Sequence, residues 1–432
     1  MKKWLICLLI VILNICAVMQ PLTITPVSAA KKTVDFWVIW GDAPAFVEYH
    51  AFKRLVDEFN KQSSAVQVNL VVGPGDYSYF DKLIVATAAG NPPDLFVDGI
   101  DVHQELLSVL VPVDETNLAK HLDMKNYVPF IQENAVYDGH WYTIPWSLGT
   151  QFLLYNPKVF EELGLPGSAV PQTWADLDRI GMKIAGVNKS SRPDLYALVV
   201  QFDAWGFEPW IWQAGGRLYD PAKRQVTINT PQVLKALRFL SEGVNAKGYI
   251  APPGNDTGWL IKSGNLAMWQ ALPQHYNIWR QITGEYPGVT LLPKDAESGT
   301  TVGGWHLYMT NTPDRDATVE FLTWLTDPER HARYLIESGT VTPRLDLAQK
   351  SATFKDFLAQ HVEARVAVQQ VMFGRMLHPA VRRTPVGPEV ERLLEEAFMT
   401  VIRNQEAPER ALQKADEAAN ARLKQWLERK LK

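Results

Sequence analysis

Trp40-Gly41-Asp42, Asp98-Gly99, Pro145-Trp146-Ser147 and Gly303-Gly304-Trp305 set indoles and polar groups beside residues that bend or thin the backbone. An indole presents a flat face carrying partial negative charge, which suits the C–H face of a sugar ring. Carboxylates, hydroxyls and amides match a rim of ring hydroxyls, which both donate and accept. A glycine lets backbone approach a ligand closely. These residue types support recognition by stacking and hydrogen bonding. Aromatic content is also the compositional outlier, with 14 of the 15 tryptophans and all 14 tyrosines lying beyond residue 30. Core packing absorbs some indoles, but rarely so many at polar, glycine-adjacent positions.

Catalytic patterns are harder to find. No G-x-S-x-G elbow and no H-E-x-x-H occurs. The nine histidines include no i,i+3 or i,i+4 pair, so neither a metal nor another cofactor is expected. The loop GPGDYS lacks the third glycine and the lysine of a phosphate loop. A secreted glycan-degrading hydrolase stays open, because it needs just two carboxylates at a set separation. A structural or adhesive protein is a third class. Both cysteines, Cys7 and Cys16, fall in an N-terminal segment with a basic Lys2-Lys3 pair and an apolar run from Trp4 to Met19. With small residues at Ser28 to Ala30, residues 1–30 read as an export signal, cleaved or retained as an anchor. The exported chain would carry no thiol, disulfide or cysteine–metal site. Removing Lys2 and Lys3 takes the formal net charge from −4 to −6, which argues against nucleic acid and anionic membrane as partners. A chain this long can bury its own core in two lobes, and a monomer is expected.

The elements that position these residues follow from periodicity. Thr33 to Trp40 reads as a strand, followed by a helix with Phe46, Tyr49, Phe52, Leu55, Val56 and Phe59 at helical spacing. Val66 to Val72 is a second strand, Asp81 to Ala89 a helix closed by Gly90, and Asp94 to Val97 a third strand. Strand–helix alternation of this kind builds an open, mostly parallel α/β sheet. Asp138-Gly139 marks a hairpin, Pro145 ends or bends the strand after it, and Phe152 to Tyr155 is a further strand stopped by Asn156-Pro157. Thr173 and Thr230 cap helices, and Ala197 to Val200 is a strand. Val289 to Leu292 and His306 to Met309 are short strands; Ala317 to Leu325 and Pro328 to Ile336 are helices. From Glu389 onward the chain is amphipathic and helical.

Six segments in order resemble one family, the extracellular solute-binding proteins of ABC importers, carbohydrate group, which includes maltose-binding protein. They are AAGNPPDLFVDG, YTIPWSLGTQFLLYNPKVFEELGLP, PQTWADL, SGNLAMWQ, PKDAESGTTVGGWHLYMT and ATVEFLTWLTDPERHARYLIESGTVTPRLD. There are two departures. Trp269 sits directly after Met268, where the family often has Gly and Trp a little later. Val381-Arg382-Arg383 stands where some relatives carry an aromatic. The resemblance implies a two-lobe α/β fold, each lobe a mostly parallel sheet flanked by helices, joined by three crossings. It implies a first lobe of residues 31–149 and 288–341 and a second of 150–287 and 342–432. It further implies a non-enzymatic, periplasmic or extracellular protein that closes on a sugar or oligosaccharide and delivers it to the importer's permease. A glycerol phosphodiester or a polyamine would fit the same fold, given more Arg and Lys or more carboxylates in the cleft.

On this footing Trp40, Asp42, Gly304 and Trp305 are expected at the cleft, together with Trp146 or Ser147 after the proline bend. Trp205 and Trp210 are favoured over Trp212, and the resemblance adds Trp269. Asp98 either faces the cleft or forms an Asx turn. Tyr77 either lines the cleft or closes its loop, and Arg344 is either a ligand contact or a solvated surface residue.

Overall fold

The computed structural model describes residues 30–76, 78–100, 104–166 and 169–430; residues 1–29, where an export signal is expected, and Tyr77 lie outside the described residues. Ten strands form the two main sheets: Lys32–Val38 (β1), Val66–Val72 (β2), Leu95–Asp98 (β3), Thr143–Thr150 (β4), Phe152–Tyr155 (β5), Tyr196–Val199 (β6), Leu266–Ala271 (β7), Gly288–Thr290 (β8), Thr300–Met309 (β9) and Gly374–Arg375 (β10). The first sheet runs β10-β9-β3-β1-β2, with β4 also paired to β9; the second runs β8-β5-β7-β6. β1 pairs in parallel with β2 and β3, as strand–helix alternation predicts, whereas β9 runs antiparallel to both β3 and β4.

The first sheet buries Val34, Phe36 and Val38 on one face of β1. Against it lies the helix Val47–Gln62 (α1), which buries Ala51, Phe52, Leu55, Val56 and Phe59 along one stripe. Behind the second sheet sit Ala204–Gln213 (α2) and Pro231–Asn245, with Phe207, Trp210, Leu237 and Leu240 in its core. Thr173 caps Trp174–Ser190 through a reciprocal capping box with Asp176.

The lobe limits differ from expectation in two places. Gly288–Thr290 pairs with β5 in the second sheet, so the return to the first lobe comes later, at the start of β9. The reason is local: Gly288 presses its backbone against the Tyr155 ring, where a Cβ would lie 2.0 Å from the nearest carbon. Past the third crossing the chain does not pass cleanly into the second lobe, because Ala352–Gln360 packs on Pro328–Ser338 whereas Val362–Gln370 packs on β8 and β5. Both helices, which periodicity missed, bridge the lobes.

Three segments connect the lobes side by side. Leu148 exchanges hydrogen bonds with Val341 (2.8 and 2.9 Å) on one edge and pairs with Gly304 on the other. Leu148 is therefore the middle ply.

Candidate functional site

Past the carboxyl end of β1, Trp40 is 6 % exposed and meets Trp305 edge to face, with ring centroids 5.2 Å apart. Trp305 is half-buried on β9, and Asp42, two residues beyond Trp40, is exposed. From the other lobe, Trp205 in the first turn of α2 reaches Gly303. A Cβ on Gly303 would lie 2.8 Å from the Trp205 ring, so the indole rests on bare backbone. Residues 303 and 305 share a strand face. Three expected indoles, Trp40, Trp205 and Trp305, thus converge from both lobes over one stretch of β9.

A buried polar network holds Trp205 there. Gln151, at the first crossing, donates from Nε2 to the Trp205 carbonyl at 2.7 Å. Gln270 donates to Gln151 and, at 2.9 Å, to the Gly206 carbonyl, while accepting from Trp210 Nε1 at 2.9 Å. Thr301 at the second crossing donates to Glu208 Oε2 at 3.1 Å and lies 3.3 Å from Trp212 Nε1. Burial, and then the nearby Glu391, push the Glu208 carboxyl up to about 8. Gln151, Glu208 and Gln270 were not singled out from sequence. Their signal, polar residues inside apolar runs, is visible only once their distant partners are known.

Several expected residues lie elsewhere. Trp146 is fully buried in the first core, stacked on His331 (4.3 Å, 17°) and on Phe52 (5.7 Å, 20°), and Ser147 is buried beside it. β4 is covered on both faces, so a proline bend does not expose either residue. His331 donates to the Trp146 carbonyl at 2.6 Å, and burial lowers its pKa to about 3, keeping the ring neutral. Trp210 is core, because α2 is buried nearly all round, and it packs on Trp174 and Phe239. Arg344 is neither cleft nor surface. At 5 % exposure it grips the Asp346 carboxylate through Nε (3.0 Å) and Nη2 (3.2 Å), and donates to the Thr326 carbonyl. Gly304 serves strand packing, since a Cβ would sit 2.1 Å from the Ser147 carbonyl oxygen. Asp98 is 2 % exposed and accepts from the Gly99 N–H at 2.7 Å, so it is buried at the strand end rather than open to the cleft. Trp269 is half-buried with one face covered by the His275 ring (4.2 Å, 8°).

Arg382 and Arg383 tie the lobes together. Arg382 Nη2 donates to Asn134 Oδ1 at 3.1 Å, and Arg383 donates to the carbonyls of Val136 and Asn134. The Arg383 guanidinium lies 3.6 Å from the Tyr137 ring centroid, a cation–π contact. Both arginines border the second core, whereas Tyr137 belongs to the first.

Two lobes on a three-ply connection, with an indole of each set over neighbouring residues of β9 at the join, define a clamp-type solute receptor. The family described as bacterial extracellular solute-binding protein matches residues 43–332, and the chain belongs to it. It is a solute-binding protein of ABC transporters. Among curated relatives, the sn-glycerol-3-phosphate-binding periplasmic protein UgpB of Pectobacterium atrosepticum is 25% identical over 401 residues, 86% of this chain and 88% of the relative. The maltotriose-binding protein of Pyrococcus abyssi is 24% identical over 307 residues, 68% of this chain and 63% of the relative. Among solved structures, the cyclic alpha-maltosyl-1,6-maltose binding protein of Arthrobacter globiformis superposes with TM-score 0.77 at 21% identity, over 92% of this chain and 100% of that one. Among the described residues, no helix is long and apolar enough to cross a membrane.

Proposed function

We propose that this chain is an exported, non-enzymatic receptor that captures a neutral sugar or oligosaccharide between its lobes and passes it to a membrane permease. The observation that carries the reading is that Trp205 from one lobe lies over Gly303, two residues before Trp305, whose ring meets Trp40 of the other lobe. Stacked indoles from two hinged bodies grip a flat apolar ring face, and Asp42 at the rim supplies an acceptor for hydroxyls. Of the original candidates we retain Trp40, Asp42, Trp205 and Trp305. The lobe limits we propose move the second crossing to residues 291–303.

A glycerol phosphate is the second reading, favoured by the relative named for binding sn-glycerol-3-phosphate. It needs arginine free to meet a phosphate. Arg382 and Arg383 are engaged with residues 134–137, and Arg375 lies 3.7 Å from Glu297, so the neutral ligand is preferred.

Screening a glycan panel by thermal shift and tryptophan emission tests this. At ligand about 100-fold above Kd, linkage predicts a stabilisation of roughly 2.7 kcal/mol. Trp305→Ala should weaken binding at least about tenfold while leaving the fold intact. Unaltered affinity would remove Trp305 from the site. Cleavage products in the supernatant would favour a hydrolase instead.

A further inference from the structure

Glu208 is buried, yet charges of both signs are packed about it. The helix Gly387–Ile402, which lies on α2, brings Glu391 and also Glu395, whose carboxylate accepts from the Ala204 N–H at 3.3 Å. Asp203, the N-cap of α2, adds a third carboxylate within electrostatic reach. The cation that acts on Glu208 is Arg382, at the end of the short helix Pro379–Arg382. β9 offers the uncharged Thr301, and Arg375, paired with Thr301 along β10, is turned towards Glu297. Pro231–Asn245 presents an apolar face of Val233, Leu237 and Leu240. Burial, with Arg382 and Arg383 close by, holds His378 below its ordinary value, so that ring is neutral above pH 6.5.

Arg382 also reaches the other lobe. Its Nη1 donates to the Leu377 carbonyl at 3.2 Å and its Nη2 to Asn134 Oδ1 at 3.1 Å. Asn134 is buried at the end of the first-lobe helix Pro129–Asn134. Its amide nitrogen is spent on the Phe130 carbonyl at 2.7 Å, which fixes the oxygen towards Arg382. One guanidinium thus stands between a neutral acceptor on the first lobe and a buried carboxyl on the second. That carboxyl is on α2, the helix that carries Trp205. An amide oxygen can hold a guanidinium against a protonated carboxyl, but a carboxylate makes a hydrogen bond about twice as strong.

We propose that Arg382 is a latch worked by the proton on Glu208. With Glu208 protonated, the guanidinium holds Asn134 and the clamp is shut. With Glu208 ionised, it turns to the carboxylate and the lobes part. In the shut form burial, and then Glu391, hold the carboxyl up at about 8. In the parted form Arg382, released from Asn134, meets Glu208 directly and lowers that value. A group whose value is higher in the shut form favours that form at low pH, and the preference is lost as pH rises through about 8. Between the two values the shut-to-open ratio falls by up to about tenfold per pH unit. By reciprocity, whatever shuts the clamp takes up a proton.

Small-angle scattering of the ligand-free full chain at pH of about 6 and about 9 tests this, with circular dichroism on each sample to separate parting of the lobes from unfolding. The wild type should be compact at the lower pH and show a larger radius of gyration at the higher. Glu208→Gln has no proton to lose and should stay compact at both. Asn134→Asp gives Arg382 a carboxylate on the first lobe and should also stay compact at both. Arg382→Met should be expanded at both. A single radius for the wild type at the two pH values overturns the latch. So does a Glu208→Gln protein that expands with pH as the wild type does, or an Arg382→Met protein that stays compact. No solute enters the test, so its failure would leave the saccharide reading standing.

Discussion

Replacing Glu208 with glutamine probes the network that seats Trp205. Burial, followed by repulsion from Glu391, raises the Glu208 carboxyl from 4.5 to about 8, against the Thr301 hydrogen bond and Arg382, which favour ionisation. Asp203 adds a smaller push in the same direction as Glu391. In the unfolded chain this carboxyl ionises at its ordinary value. Between pH 4.5 and about 8, folding therefore takes up a proton, and stability is lost as pH rises. At about 1.36 kcal/mol per pH unit, that interval is worth up to roughly 4–5 kcal/mol. Glutamine keeps an oxygen for the Thr301 hydroxyl and has no charge to bury. Near pH 4.5 the two proteins should agree within about 1 kcal/mol, and at pH of about 8.5 Glu208→Gln should be the more stable by several kcal/mol. Urea unfolding followed by tryptophan fluorescence across this range measures both. Parallel pH profiles for wild type and variant would refute the reasoning.

Trp146→Ala should cost about 3–5 kcal/mol of stability, as expected for a large ring deleted from a packed core, and circular dichroism melting would show it. Arg344→Met leaves Asp346 buried with Lys350 alone and should cost about 3 kcal/mol in the same assay; a neutral outcome would mean that the pair contributes nothing net. Arg383→Ala removes the two carbonyl bonds and the ring contact across the lobes. The ligand-free protein should then expand, seen as a larger radius of gyration in small-angle scattering, and an unchanged profile counts against the tie.

Much of the scaffold was legible from residue order. The spacing of Phe52, Leu55, Val56 and Phe59 gave α1, and β-branched alternation gave β2. The site we propose was legible where a glycine lies beside an indole, as at Trp40 and Trp305. It failed where tertiary packing decided exposure. Trp146 follows a proline bend, yet the bend lies inside a strand covered on both faces. Trp210 sits on a helix with no solvent side, so helical spacing could not tell it from Trp205. Arg344 finds Asp346 two residues on, and nothing local announces that both are buried. Glu208 looks like any surface carboxylate until Thr301, 93 residues away, is set beside it.

The bonding of Leu148 to strands on either edge has a mechanical consequence. Three separate tethers would let the halves twist, slide or roll against each other. A laminate whose plies are stitched together flexes easily about an axis across its width and resists the other motions, since those would shear the stitches. Opening and shutting should then follow nearly a single coordinate, so a bound solute would select a position along one path rather than an arrangement from many.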